Sequence, residues 1–194
     1  ARGKSYLSNK LMRYLRWREY NVKVFNVGQL RRATARLRQE KTGVREEQTA
    51  AFFDSHNAVG QKMRNELARE CLEQLIGWLR DGPGNVGIHD ATNTTKERRR
   101  EIAERVAREP GMRLVFLESI CTDPAVIEEN IEVKVSSADP DYFHLDRAQA
   151  KEDFLRRIKY YEDVYEPLDS DGDESMYSYC KIVDVGRSAT MNLI

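Results

Sequence analysis

Val86-Gly87-Ile88-His89, then Asp90-Ala91-Thr92-Asn93-Thr94-Thr95, then Lys96-Glu97-Arg98-Arg99-Arg100 is the stretch that decides the fold. A short apolar run ends on a carboxylate, passes through hydroxyls and an amide, and enters a segment with helical spacing. Upstream, Val59, Met63, Leu67, Cys71, Leu75 and Leu79 step by four and predict a long amphipathic helix, which Asp81-Gly82-Pro83-Gly84 stops. The unit is therefore helix, strand, loop, helix, and it recurs along the chain. Leu7, Leu11, Tyr14 and Leu15 predict a helix from Ser5 to about Arg18, before a strand from Val22 to Val27. Thr94 to about Arg108 reads as a helix, Arg113 to Glu118 as a strand, and Asp123-Pro124 as the cap of a helix running to about Asn130. Asp146 to Tyr165 carries Phe154, Ile158, Tyr161 and Tyr165 on one stripe, and Lys181 to Val185 is a last strand. Ser136 to Leu145 and Asp169 to Glu174 read as loops. Strands separated by helices of this length predict βαβ units and an α/β fold with a mostly parallel sheet.

The chain has 194 residues and a mass of 22.5 kDa, one domain of ordinary size or a domain with a small appendage. With 40% hydrophobic and 33% charged residues it is not a disordered tail, a collagen-like fibre or a disulfide scaffold. Lys plus Arg and Asp plus Glu are both 32, so net charge gives no reason to expect nucleic acid or an anionic membrane as partner. An anion bound by this chain has to be held by a local cluster of bases. Cys71, Cys121 and Cys180 are scattered, which predicts reduced thiols and a cytoplasmic protein. No apolar run has the length of a membrane span and nothing resembles a signal peptide. The opening Ala1-Arg2-Gly3-Lys4-Ser5 reads as the middle of a motif, so the expectation is that upstream residues, including the first strand of the sheet, are missing.

Ligands of open α/β sheets bind beyond the carboxyl ends of the strands. Gly3-Lys4-Ser5 at a helix start is the first candidate, because free N–H groups and the positive end of the helix dipole face a phosphate there. Lys4 would reach the β- and γ-phosphates and the Ser5 hydroxyl would ligate Mg²⁺. Asp90, at a strand end, is either a magnesium-holding or hydroxyl-orienting carboxylate, or a helix N-cap. The basic start of the helix after it opposes the helix dipole and suggests bound anions, although Arg99 and Arg100 also fit a solvated face. Arg31-Arg32 and Arg64 read alone as surface cations. Lys134 suits a lid lysine or an ordinary cation after a helix, Arg157 and Tyr161 share a helix face, and Tyr161 alone reads as core. The N-glycosylation pattern at Asn93-Thr94-Thr95 and the faint calcium-loop pattern from Asp169 are discounted.

Taken together, several blocks resemble the kinase domain of the 6-phosphofructo-2-kinase/fructose-2,6-bisphosphatase family. They are Ala1 to Tyr6, Phe25-Asn26-Val27-Gly28-Gln29 with Arg31-Arg32, Asp90 to Thr95 with Arg98-Arg99, and Glu118-Ser119-Ile120-Cys121. Asn130 to Lys134, Tyr161-Glu162 with Pro167-Leu168-Asp169, and Ile182 to Gly186 follow in the family's order. The resemblance implies one P-loop NTPase-like, three-layer kinase domain over 1–194. It implies transfer of the γ-phosphoryl of ATP to the 2-hydroxyl of fructose 6-phosphate, with Mg²⁺ on Ser5 and Asp90. It gives Lys4, Asp90 and Cys121 catalytic roles and places Ala1, Arg2, Gly3, Lys4, Ser5, Tyr6, Asn130 and Lys134 on ATP. Arg31, Arg64, Thr92, Arg98, Lys134, Arg157 and Tyr161 fall on the sugar phosphate, and a homodimer is admitted.

The chain departs from the pattern in places. Asn130 to Lys134 is shorter than the family's segment, the segment between Arg32 and Phe52 is longer and reads as a loop of its own, and His89 replaces an apolar residue. No Arg-His-Gly phosphatase signature occurs. Two other functions stay open on sequence: a kinase for another small phosphorylated acceptor, and a silent paralogue that senses nucleotide or sugar phosphate.

Overall fold

The computed structural model describes residues 2–44, 49–136, 141–142, 145–169 and 172–194. Ala1 and parts of both expected loops (137–140, 143–144 and 170–171) lie outside the described residues. The elements are α1 (Lys4–Trp17), β1 (Val22–Asn26), α2 (Val27–Thr42), α3 (Ala50–Phe53), α4 (Ala58–Asp81), β2 (Val86–Asp90) and α5 (Lys96–Val106). Then follow β3 (Val115–Ile120), α6 (Pro124–Ser136), α7 (Arg147–Asp163), β4 (Ser178–Val183) and β5 (Ser188–Asn192). None of the described helices is long and apolar enough to cross a membrane.

Side-chain caps set most helix starts. Asn26, Asn57, Thr95 and Asp146 each accept a backbone N–H three residues on, which satisfies an orphan donor of the first turn. Thr95, not Asp90, is the cap of α5, which removes the N-cap reading of Asp90.

The strands pair as two sheets, where the sequence predicts one mostly parallel sheet. β1 and β2 are parallel in the register Val22 to Val86 through Asn26 to Asp90. β3 and β4 are parallel, and β5 adds an antiparallel edge. The strand expected to reach Val185 stops at Val183, because Asp184 and Val185 turn to φ 46° and 59°. That turn lets the Asp184 carboxylate accept from Thr122 N and Oγ1 at 2.6 and 2.8 Å.

One core joins the two sheets. Phe25, Phe116 and Tyr179 from β1, β3 and β4 pack with Cys71, Leu72, Leu75 and Ile76 of α4 and with Ile102 and Val106 of α5. Gly87 lies so close to α4 that a Cβ would fall 2.7 Å from Leu75 Cγ. Successive side chains of a strand face opposite ways, so Gly87 and His89 face α4 while Asp90 faces the α1 side. α1 covers that side of β1 and β2 with half-buried Leu7, Leu11 and Leu15.

Two expectations are corrected in length. The segment after Arg32 is helix α2 as far as Thr42 rather than loop, and α6 runs on to Ser136, so Lys134 is inside a last helical turn rather than after the helix.

Candidate active site

Gly3 at φ 80° makes the left-handed turn that starts α1, a conformation glycine adopts without steric penalty. Residues 2 to 5 bridge the two sheets. Arg2 O accepts from Ser119 Oγ at the end of β3, the Arg2 guanidinium donates to Cys121 O and, at 2.6 Å, to Glu162. On the other side, Ser5 Oγ donates to Asp90 Oδ2 at 2.7 Å at the end of β2. Asn26 Nδ2, at the end of β1, donates to the same oxygen. The hydroxyl, the carboxylate and the helix N-terminus thus meet beyond the carboxyl ends of three strands.

Lys4 is exposed by area yet has enough protein around it to be desolvated. Desolvation lowers its pKa; Asp90 opposes this, while Lys134 and Arg157 add to it. Those interactions place Lys134 and Arg157 within electrostatic reach of the same ammonium.

A second cluster holds the acceptor-side arginines. Arg31 is buried rather than a solvated cation, and its Nη2 donates to Asp141 Oδ2 at 2.6 Å. Arg157 Nη1 donates to the same oxygen at 3.2 Å and to Tyr142 OH at 2.7 Å. Arg157 lies 3.7 Å, Arg31 5.0 Å and Arg64 5.9 Å from the centre of the Phe53 ring, a cation–π arrangement. Tyr161 stands 6.2 Å from that ring, and Arg64 also donates to Phe52 O. Burial works against the Asp141 charge, but Arg31, Arg157 and Arg32 outweigh it, so its pKa is lowered.

Among the described residues, the side chains of the other expected residues form no hydrogen bond or ion pair with either cluster. Arg98 lies between α4 and α5 with Asn65 Oδ1 at 3.4 Å and Glu101 at 3.7 Å. Thr92 is exposed, and Tyr6 is 60% exposed beside Lys10. The Asn130 amide donates to Val126 O of its own helix at 2.8 Å. Cys121 is buried, with its thiol 3.9 Å from Asp123 O, and meets the loop through its backbone carbonyl. Arg99, which also fitted a solvated face, is buried against Glu174, whereas Arg100 is exposed.

Sequence reasoning missed Asn26, Phe53 and Asp141 as parts of the site. Asn26 carried a signal, since an amide at a strand end can cap the next helix and still reach a neighbouring strand. Phe53 and Asp141 carried none, because only the tertiary fold brings them to arginines of α2, α4 and α7.

The 6-phosphofructo-2-kinase family model matches residues 1–194. The 6-phosphofructo-2-kinase/fructose-2,6-bisphosphatase of Caenorhabditis elegans is 47% identical over 190 residues, which is 97% of this chain and 40% of that protein. Human 6-phosphofructo-2-kinase/fructose-2,6-bisphosphatase 4 is 43% identical, over 100% of this chain and 39% of its own length. For 6-phosphofructo-2-kinase 1 of Saccharomyces cerevisiae the figures are 39% identity, 96% of this chain and 22% of the relative. The chain thus spans two fifths or less of these curated relatives.

Proposed function

The chain belongs to the 6-phosphofructo-2-kinase family, and from that premise we propose that it transfers the γ-phosphoryl group of ATP to the 2-hydroxyl of fructose 6-phosphate. The products are ADP and fructose 2,6-bisphosphate. The new bond joins the sugar O2 to the γ-phosphorus, the bond from that phosphorus to the bridging oxygen of ADP breaks, and the hydroxyl proton is released to solvent.

The meeting of Ser5 and Asp90 at 2.7 Å beside Lys4 is the observation that carries this reading. Arg2 to Tyr6 take the nucleotide phosphates at the start of α1, with Lys4 supplying charge where it develops on the transferring group. A hydroxyl and a carboxylate are the hard oxygen donors that Mg²⁺ takes, so Ser5 and Asp90 fit that ion. When bound, the ion neutralises phosphate oxygens. Asp90 also orients the acceptor hydroxyl, with its carboxylate fixed by the Asn26 amide. Arg31, Arg64, Arg157 and Tyr161, gathered at Phe53, take the 6-phosphate; Lys134 lies within reach of Lys4 and can serve either substrate.

Incubation with Mg-ATP and fructose 6-phosphate tests the reading. The expected result is an acid-labile bisphosphate formed one for one with ADP, with no such product from fructose. ADP without a new sugar phosphate, or no turnover, would overturn it, as would near-normal turnover in Lys4→Met, where a drop of orders of magnitude is expected.

A further inference from the structure

Asp141 is a carboxylate that arginines from different elements share. Its side chain is 3% exposed and that of Arg31 6%, so the pair is desolvated. Arg157 joins it from α7, and Arg32 Nη1 stands at 3.9 Å. The next residue, Tyr142, is buried against Val135 and Ala150, which anchors the backbone beside Asp141. On the other side of the guanidinium groups lies Phe53, itself 6% exposed. α3, which carries that ring, is tied to α7 by Ala50 N donating to Asp153 Oδ1 at 2.7 Å. One carboxylate and one aromatic ring therefore set the directions of Arg31 and Arg157.

The cluster is not closed. Arg157 spends its Nη1 on Asp141 and Tyr142, while its Nε is buried with no partner among the described residues. A planar guanidinium presents donors on separate edges and can meet different acceptors on them. A buried donor left unmatched carries a desolvation penalty, which an arriving acceptor removes. The bound group should be anionic, because cations from α2, α4 and α7 converge on the one ring.

We propose that Asp141 and Phe53 are the positioning residues of a phosphate-monoester pocket, holding Arg157 beside Arg31 so that the unmatched Nε edge of Arg157 receives the phosphate of the acceptor. The inference rests on the reading given under Proposed function. Asp141 does not touch the phosphate, which its charge would repel. It lets converging cations share a buried volume before any ligand arrives, so that little reorganisation is left for binding.

The test is calorimetric titration of fructose 6-phosphate into the whole protein with Mg-ADP saturating the nucleotide loop. Asp141→Asn keeps the shape and removes the charge, and should weaken sugar phosphate binding by about tenfold or more. Its ADP affinity should stay within about twofold, a split that general loss of structure would not give. Asp141→Glu restores the charge and should recover most of the loss, and Phe53→Leu should weaken binding severalfold. Equal or tighter sugar phosphate binding by Asp141→Asn would overturn the proposal, as would parallel loss of ADP affinity. Should Asp141→Asn not fold, unchanged binding in both Asp141→Glu and Phe53→Leu would overturn it, and a severalfold loss in Phe53→Leu would support it. Wild type that binds the sugar phosphate without turning it over defeats the kinase reading and leaves the pocket to be decided by the same comparison. Wild type that binds none defeats both.

Discussion

Two buried arginine–carboxylate clusters in this protein differ in one respect that separates scaffold from site. In the first, Arg99 meets Glu174 with two bonds, at 2.6 and 2.8 Å. Its other N–H groups reach the carbonyls of Asn93, Thr94 and Pro167 at 3.2 to 3.5 Å. Every face of that guanidinium is used, and the result ties the loop after β2 to the segment after α7. In the second, Asp141 divides one oxygen between Arg31 and Arg157, and Arg157 Nε stays unmatched among the described residues. A fully satisfied buried network rigidifies; one with a donor left over can still take an acceptor from outside. Sequence neighbours illustrate it: Arg98, Arg99 and Arg100 are three identical residues in a row, and the fold assigns them to the seam between α4 and α5, a closed ion pair and solvent.

The largest effect is expected at the closed cluster. Arg99→Met leaves the Glu174 charge buried without its partner and should lower unfolding free energy by about 3–5 kcal/mol, measured by chemical denaturation. A loss below about 1 kcal/mol would mean the pair is not the scaffold it is taken for.

His89 adds a buried group that no charged partner among the described residues seals, although the Ala68 backbone and Asp90 favour its protonated form. Both ring nitrogens are buried and unmatched among the described residues, and burial, with Arg98 beside it, pushes the imidazole down to about 4. The unfolded chain takes up that proton near pH 6.5 and the folded one only near 4, so stability falls as pH drops between those values. The loss should approach about 3 kcal/mol in wild type and be absent from His89→Phe, as read from denaturation at a series of pH values. Equal acid sensitivity in the two proteins would assign the effect to other groups.

At the open cluster the expected effect is on kinetics. Arg64→Ala removes a cation that lies over the ring without joining the Asp141 ion pairs. A charge-assisted contact to phosphate is worth about 1.5–3 kcal/mol, so KM for fructose 6-phosphate should rise about ten- to a hundredfold with KM for ATP nearly unchanged. Because the contact is to a non-reacting group, kcat should hold. The reverse pattern, with ATP weakened and the sugar spared, would move Arg64 to the nucleotide side. The smallest effect is expected at Cys121, whose buried thiol approaches Asp123 O at 3.9 Å. Cys121→Ser should lower turnover only modestly, and an abolished reaction would give the thiol a role in the chemistry.

The layering was legible in the sequence where period and punctuation were strong. The step of four through Met63, Leu67, Cys71 and Leu75, stopped at Gly82-Pro83-Gly84, gives α4 almost to the residue. The pairing of Ser5 with Asp90 was legible as chemistry, since each stands where a helix starts or a strand ends. α2 was not, because its apolar positions are sparse and its arginines read as surface, although Arg31 is buried by a partner 110 residues away. The antiparallel β5 was hidden because its residues are mostly exposed and show no buried alternation. Asp141 and Phe53 had no local signature at all. Whether a charged residue is sealed or solvated depends on partners distant in the chain, and periodicity does not report that.

The most direct measurement compares how far fructose 6-phosphate, with Mg-ADP present, raises the unfolding free energy of wild type, Glu174→Gln and Asp141→Asn. A ligand at a hundred times its Kd stabilises by about 2.7 kcal/mol. Wild type and Glu174→Gln should show that increment in full, on a lower baseline for the latter, because the closed cluster serves only the fold. Asp141→Asn should lose half or more of it at the same concentration. An increment kept by Asp141→Asn and lost by Glu174→Gln would contradict the assignment of scaffold and site.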